Sequence, residues 1–312
     1  MNNGADLSKI AEMLSLKNFT PEIDLSKCVV KIADVNRPAL QLNNFYDHFE
    51  PDRIQIIGMV EWAYLSTKSE EERIASFRKL LSYDIPCVIF CRDFVPDESI
   101  RKIAIEKKIP FLGTGRSTSE FMAELIYRLG YDLAPTTSIH GVLVDVYGEG
   151  LMIMGESGIG KSEAALELVK RGHRLVSDDV VEIKRLNEHR LVGSSPEITK
   201  YLIELRGIGI IDVRSLFGVE SIEDSTDIDL IIKLEDWHKE KEYDRLGLED
   251  EYMEILGNKV VCHSLPIRPG RNLAIICETA AVNFRQKKMG YNAAAELYRR
   301  VENNIATQNR KD

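Results

Sequence analysis

The stretch Gly155-Glu156-Ser157-Gly158-Ile159-Gly160-Lys161-Ser162 has the residue types and spacing of a phosphate-binding loop, G-x-x-x-x-G-K-[ST]. Glycines let backbone N–H groups turn inward onto phosphate oxygens. The Lys161 ammonium can neutralise terminal phosphates, and the Ser162 hydroxyl can ligate Mg²⁺. The chemistry indicated is nucleotide or polyphosphate binding. The loop alone does not choose between a kinase, an ATPase, a GTPase and a binding module.

Three further groups could work beside it. The pair Asp178-Asp179 follows Arg174-Leu175-Val176, which reads as a short strand. Phosphoryl transfer uses a carboxylate near the metal and often a base for the acceptor's proton. Two aspartates can also simply form a turn or cap, but beside a phosphate loop a functional pair is preferred. Nothing physical in the sequence separates Asp178 from Asp179. Only 17 positions separate Lys161 from Asp178, which points to an unusual phosphate-loop class. The second group is Ile203-Glu204-Leu205-Arg206-Gly207-Ile208-Gly209-Ile210-Ile211-Asp212. Its glycines suggest backbone lining a site, with Glu204 as a second metal-side carboxylate; a bulged edge strand fits equally well. The third is Leu265-Pro266-Ile267-Arg268-Pro269-Gly270-Arg271-Asn272. Two prolines stiffen a loop carrying two arginines, as an anion clamp or a solvated basic turn. His140 and Arg245 stand alone and gain meaning only if the fold brings them to the phosphate loop.

These groups need elements to hold them. Leu151-Met152-Ile153-Met154 reads as a buried strand feeding the loop. Residues 162–171 read as a helix with Ala165, Leu168 and Val169 on one face and Gly172 as its stop. Gly148-Glu149-Gly150 reads as a hairpin turn from a strand at Gly141-Val142-Leu143-Val144. Further strands are expected at 180–186, 209–213 and 228–234, a flexible polar loop at 193–196, and a helix from Ala293 to about Val301. Upstream, strand and helix patterns alternate. Strands fall near Ile54, Cys87-Val88-Ile89-Phe90 and Phe111-Leu112, and helices around Leu7, Phe77, Ile103 and Phe121, the last opened by Ser117 and Glu120. That alternation predicts an α/β domain with a largely parallel sheet. Gly113-Thr114-Gly115 lacks the third glycine of a dinucleotide fingerprint and reads as a tight turn. A linker is expected at 130–137, giving domains at 1–132 and 133–312.

With 312 residues, 44% of them hydrophobic, two globular cores can form. The net charge of −9 argues against a nucleic-acid surface. Cys28, Cys87, Cys91, Cys262 and Cys277 read as free thiols in a reducing cytoplasm. The start carries no signal-peptide pattern, and no apolar run approaches the roughly 18 residues that span a bilayer. A GTPase is disfavoured because Asn258-Lys259-Val260-Val261 lacks the Asp of a guanine-reading motif. A transporter-type ATPase lacks its glycine-rich signature. A nucleotide sensor would not need so many charged groups around a terminal phosphate. A kinase acting on a small molecule or a protein fits best.

The motifs together resemble the HPr kinase/phosphorylase family. The resemblance rests on Thr137-Ser138-Ile139-His140-Gly141-Val142, the phosphate loop, Arg171-Gly172-His173-Arg174-Leu175-Val176-Ser177-Asp178-Asp179, the segment 204–211, Tyr243-Asp244-Arg245 and the segment 266–272. It covers the second domain and is looser over residues 1–130. It implies a catalytic domain related to phosphoenolpyruvate carboxykinase, a first domain like the substrate domain of muramyl-peptide ligases, and a cytoplasmic homohexamer. It implies that ATP or pyrophosphate phosphorylates a serine of the phosphocarrier protein HPr, and that inorganic phosphate removes the group from P-Ser-HPr to give pyrophosphate, in carbon catabolite control. By position, His140, Lys161 and Arg245 become active-site residues. Asp179 becomes the group that exchanges the serine proton. Ser162 and Glu204 become Mg²⁺ ligands. Segment 203–212 serves both reactions, and Pro266, Ile267, Arg268, Pro269, Gly270 and Arg271 mainly serve dephosphorylation.

Overall fold

The computed structural model describes residues 4–237, 250–267 and 271–308, and the chain divides into two compact units, Met1–Ala134 and Pro135–Asp312. The first unit is built on a five-stranded sheet in the order Lys17–Asn18, Phe111–Gly113, Val88–Phe90, Ile54–Ile57, Val35–Asn36. The last four strands are parallel to their neighbours, and Lys17–Asn18 pairs antiparallel at one edge. Strand side chains alternate between faces. Ile54, Ile56, Ile89 and Leu112 join a core with helices Leu7–Met13 and Thr118–Asp132. Ile57, Val88, Phe90 and Phe111 join another core with helices Met59–Ser66, Glu70–Leu80 and Glu98–Lys107. Both faces are covered, so these strands read as short continuous apolar runs.

One boundary differs from the sequence reading. The helix Thr118–Asp132 runs through Gly130 instead of stopping there, and Thr136 and Thr137 already belong to a strand. A helical glycine costs about 0.5–1 kcal/mol relative to alanine. The buried stripe Phe121, Leu125 and Leu129 outweighs it.

The second unit stacks two sheets. The larger has the order Arg174–Ser177, Val142–Val146, Glu149–Met154, Leu230–Asp236, Asn258–Ile267, Glu251–Ile255. Its centre is parallel: Glu149–Met154 pairs with Leu230–Asp236, which pairs with Asn258–Ile267. The smaller is antiparallel, in the order Ser225–Asp227, Arg190–Ser194, Val180–Asn187, Thr136–His140. Leu151 and Ile153 pack beneath helices Lys161–Lys170 and Leu273–Lys288. Met152 faces the other way, into a core with Val181, Ile183 and Leu191 of the smaller sheet. That two-sided burial is why Leu-Met-Ile-Met carries no polar alternation.

Glu149 and Gly150, expected in a hairpin turn, already belong to the strand Glu149–Met154. The hairpin before the phosphate loop turns on Tyr147 and Gly148, with φ of 57° and 88°. Two left-handed residues make the tight connection that twisted strands favour. Gly193 and Ser194 lie in the strand Arg190–Ser194, not in a loop; position 193 is glycine because a side chain there would collide with Leu143. Among the described residues, no helix is long and apolar enough to cross a membrane.

Candidate active site

The phosphate loop leaves the carboxyl end of Glu149–Met154 and enters the helix Lys161–Lys170 through Gly160, whose φ of 100° is left-handed. Open parallel sheets bind ligands at that end, and the helix amino terminus adds unpaired N–H groups suited to anions. The Lys161 ammonium donates to Gly155 O and Glu156 O, both at 2.9 Å, and so lies folded over the loop.

The two aspartates, equivalent by residue type, have opposite environments. Asp178 is 4% exposed. Its Oδ1 accepts from the Ser162 hydroxyl at 2.9 Å and its Oδ2 from the Glu204 N–H at 3.0 Å. Burial pushes the Asp178 carboxyl above its ordinary value, against the hydrogen bonds from Ser162 and the Glu204 N–H that favour its charge. Asp179 sits at the centre of a three-residue turn closed by Val180 N–H to Asp178 O at 2.9 Å, with φ of 67°. That strained geometry points consecutive side chains apart. The Asp179 side chain is 77% exposed, 3.7 Å from Nδ1 of His140. His140 reaches it because the strands Thr136–His140 and Val180–Asn187 pair with His140 opposite Val180.

Segment 203–212 is a β-hairpin. Leu202–Leu205 pairs antiparallel with Gly209–Asp212, and Ile208 N–H closes the turn on Leu205 O at 3.0 Å. The glycines serve the turn, and the strand carries Glu204 to the phosphate loop. Ser162, Asp178, Asp179 and Glu204 line one cavity of about 120 Å³ together with Lys161 and Arg206. These oxygens are the hard donors that suit Mg²⁺, which binds through one or two protein ligands plus phosphate and water. Glu204 and Ser162 therefore fit a metal beside the loop.

Arg206 was not singled out from sequence. Its guanidinium donates to Ser157 Oγ at 3.1 Å and rests against Gly158, where any side chain would strike it. Gly158 is also left-handed, with φ of 85°. A second cation thus lies across the crown of the loop. The only sequence signal was a charge between apolar residues beside two glycines.

The segment 266–271 begins at the end of the strand Asn258–Ile267. Arg271 Nη1 donates to Pro266 O at 3.1 Å, pinning the two ends together. Next to it, Asn272 Nδ2 donates to Glu167 of the phosphate-loop helix at 2.6 Å. Asn272, which follows the segment, is therefore tethered to that helix. Arg245, Arg268, Pro269 and Gly270 lie outside the described residues.

The HPr Serine kinase C-terminal domain matches residues 131–301, and the HPr Serine kinase N terminus matches residues 6–129. A protein named HPr kinase/phosphorylase from Lachnoclostridium phytofermentans is 60% identical over 300 residues, 96% of this chain and 97% of that one. The chain belongs to the HPr kinase/phosphorylase family. Another member, from Caldicellulosiruptor bescii, is 49% identical over 303 residues, 97% of each chain. A solved structure, the Hpr(Ser) kinase/phosphatase from Coxiella burnetii, is 37% identical over 52% of this chain and 98% of its own, with a TM-score of 0.47. Each unit thus carries most of one HPr kinase domain, and the phosphate loop, the aspartate pair and segment 203–212 all lie in the C-terminal one.

Proposed function

We propose that this protein phosphorylates a serine of HPr with ATP or pyrophosphate, and reverses the reaction with inorganic phosphate. The carrying observation is the splayed aspartate pair. One carboxylate is buried and latches Ser162; the other is presented to solvent beside the phosphate loop. The relatives named HPr kinase/phosphorylase support the substrate.

In the forward direction the donor phosphates sit on the loop N–H groups and on Lys161. Asp179 takes the proton of the serine hydroxyl as the serine oxygen bonds to phosphorus. The bond from phosphorus to the leaving diphosphate, or to phosphate when pyrophosphate is the donor, then breaks. His140 orients the Asp179 carboxylate. Arg206 and Lys161 offset charge on the transferring group. Ser162 and Glu204 would hold Mg²⁺, whose positive charge would offset that of the donor phosphates. In reverse, a phosphate oxygen bonds to phosphorus, the bond to the serine oxygen breaks, and Asp179 returns its proton to that oxygen. The products are pyrophosphate and HPr. Segment 266–271 has the anion donors to seat the entering phosphate, and Arg245 takes its place in the site by family resemblance.

The same resemblance underlies a catalytic unit related to phosphoenolpyruvate carboxykinase, a first unit like the muramyl-peptide ligase substrate domain, and a cytoplasmic homohexamer controlling sugar uptake. The exposed Leu297, Tyr298 and Val301 on the helix Ala293–Gln308 offer an apolar face for subunit contact.

The test is incubation of the purified protein with HPr, ATP and Mg²⁺, with phosphoserine read by mass spectrometry. The reading requires stoichiometric serine phosphorylation that is lost in Lys161→Ala. Nucleotide binding with no transfer to HPr would make the chain a sensor and overturn it.

A further inference from the structure

The first unit holds a cavity that the reaction above does not use. It measures about 270 Å³ and lies at the carboxyl end of the strand Val88–Phe90. Helices Met59–Ser66, Glu70–Leu80 and Glu98–Lys107 each contribute wall residues. Its inner wall is apolar: Leu65, Phe77, Phe90 and Ile100 are core side chains, each at most 3% exposed. Its more accessible rim is Trp62, Ser66, Arg73 and Asp97.

Three observations mark this as a prepared site and not a packing fault. The Trp62 indole is held flat by Phe94, with centroids 4.7 Å apart and planes 5° apart. The segment that brings Phe94 there turns on Arg92 and Asp93, two successive non-glycine residues with φ of 60° and 56°. Such conformations are uncommon and need the surroundings to hold them. Finally, Asp97 occupies the N-cap of helix Glu98–Lys107 yet makes no side-chain cap hydrogen bond. Its carboxylate instead accepts from Arg73 Nε at 2.9 Å, while Arg73 Nη1 donates to Lys68 O at 3.0 Å. A donor and an acceptor are thereby set side by side on the rim.

This pairing selects the ligand. A neutral rim pair does not attract a free phosphate or a metal ion. The aromatic lining, Trp62, Phe77 and Phe90, suits a ring, and adjacent donor and acceptor groups suit an edge where an N–H neighbours a lone pair. The volume lies just below the lower end of the usual range for small-molecule pockets, about 300–1,000 Å³. The carboxyl end of a parallel sheet is also where open α/β folds receive ligands. We propose that this cavity binds an uncharged planar heteroaromatic molecule of one or two rings, with its edge on Arg73 and Asp97.

The chain has two tryptophans, Trp62 and Trp237. In full-length Trp237→Phe protein, Trp62 emission therefore reports on the cavity alone. Adenine and nicotinamide are the probes, since both are uncharged, planar and carry a donor beside an acceptor. At least one should give a saturable change with a dissociation constant of about 1 mM or tighter, reasonable for a fragment of about ten heavy atoms. Ser66→Phe, at an exposed rim position, should fill the opening and weaken that binding about tenfold or more. Asp97→Leu should do the same by removing the acceptor, and decides the matter if Ser66→Phe fails to fold by circular dichroism. No saturable response to either probe, or an unchanged affinity in a folded variant, would overturn the proposal.

Discussion

Asp178 and Asp179 should fail in different ways when changed one at a time. Asp178 accepts two hydrogen bonds on a buried carboxylate, from Ser162 and from the Glu204 N–H. Hydrogen bonds to a charged group contribute about 1.5–3 kcal/mol each. Their loss in Asp178→Ala is partly offset, because the unfavourable burial that raises the Asp178 pKa disappears with the carboxylate. A net destabilisation of about 2 kcal/mol is expected, with the Glu204 N–H left unpaired. Among the described residues Asp179 makes no comparable bond, and its side chain is 77% exposed. Asp179→Asn should therefore change stability by less than about 0.5 kcal/mol. Asp179→Gly should not lower it at all, since φ of 67° suits glycine and a left-handed non-glycine residue costs about 1–2 kcal/mol. Yet both Asp179 variants should lose transfer in each direction by about 10² to 10⁴, the usual worth of a general base. Urea unfolding of the intact protein measures the first quantity, and HPr phosphorylation and dephosphorylation rates measure the second. If Asp179→Asn kept near-normal rates while Asp178→Asn abolished them, the roles would be reversed and the reasoning from burial would be refuted.

Three other outcomes follow from the site. Lys161→Ala should slow both directions together by about 10² or more, because each builds charge on the same phosphate oxygens; rate assays that find one direction intact would separate the two sites. Arg271→Ala should raise the KM for phosphate and impair dephosphorylation more than ATP-driven phosphorylation, while equal loss would make segment 266–271 structural. The Asp178 pKa is raised above 3.8 in the folded protein, so the folded state binds this proton first as pH falls. Its contribution to stability therefore grows as pH drops from that raised value to 3.8 and is lost as pH rises through it. Asp178→Asn should flatten this part of the stability profile in urea titrations, and an unchanged slope would contradict the buried, ionisable carboxyl.

The phosphate loop was legible because its function constrains residue type at fixed spacing, and its flanking strand and helix carry clear apolar patterns. The first unit's sheet was legible for a related reason: Ile54, Val88 and Phe111 lie in short buried runs between helical stripes. Other features depend on tertiary placement. Gly193 reads as loop chemistry but is a strand residue crowded by Leu143. Asp178 and Asp179 differ only through the sign of one φ and the depth of one side chain, which neighbouring strands impose. Arg206 reaches the loop because a hairpin folds back over it. No local pattern encodes that arch, and the same dipeptide Arg206-Gly207 would suit any exposed turn.

The deciding question is whether phosphate, not water, enters at this site when phosphoserine is cleaved. The direct measurement mixes the protein with P-Ser-HPr, Mg²⁺ and radiolabelled inorganic phosphate, and follows the label by chromatography. Labelled pyrophosphate should form one-for-one with the phosphoserine lost, and none should form in Asp179→Asn. Release of unlabelled orthophosphate at the same rate, with no pyrophosphate, would contradict it.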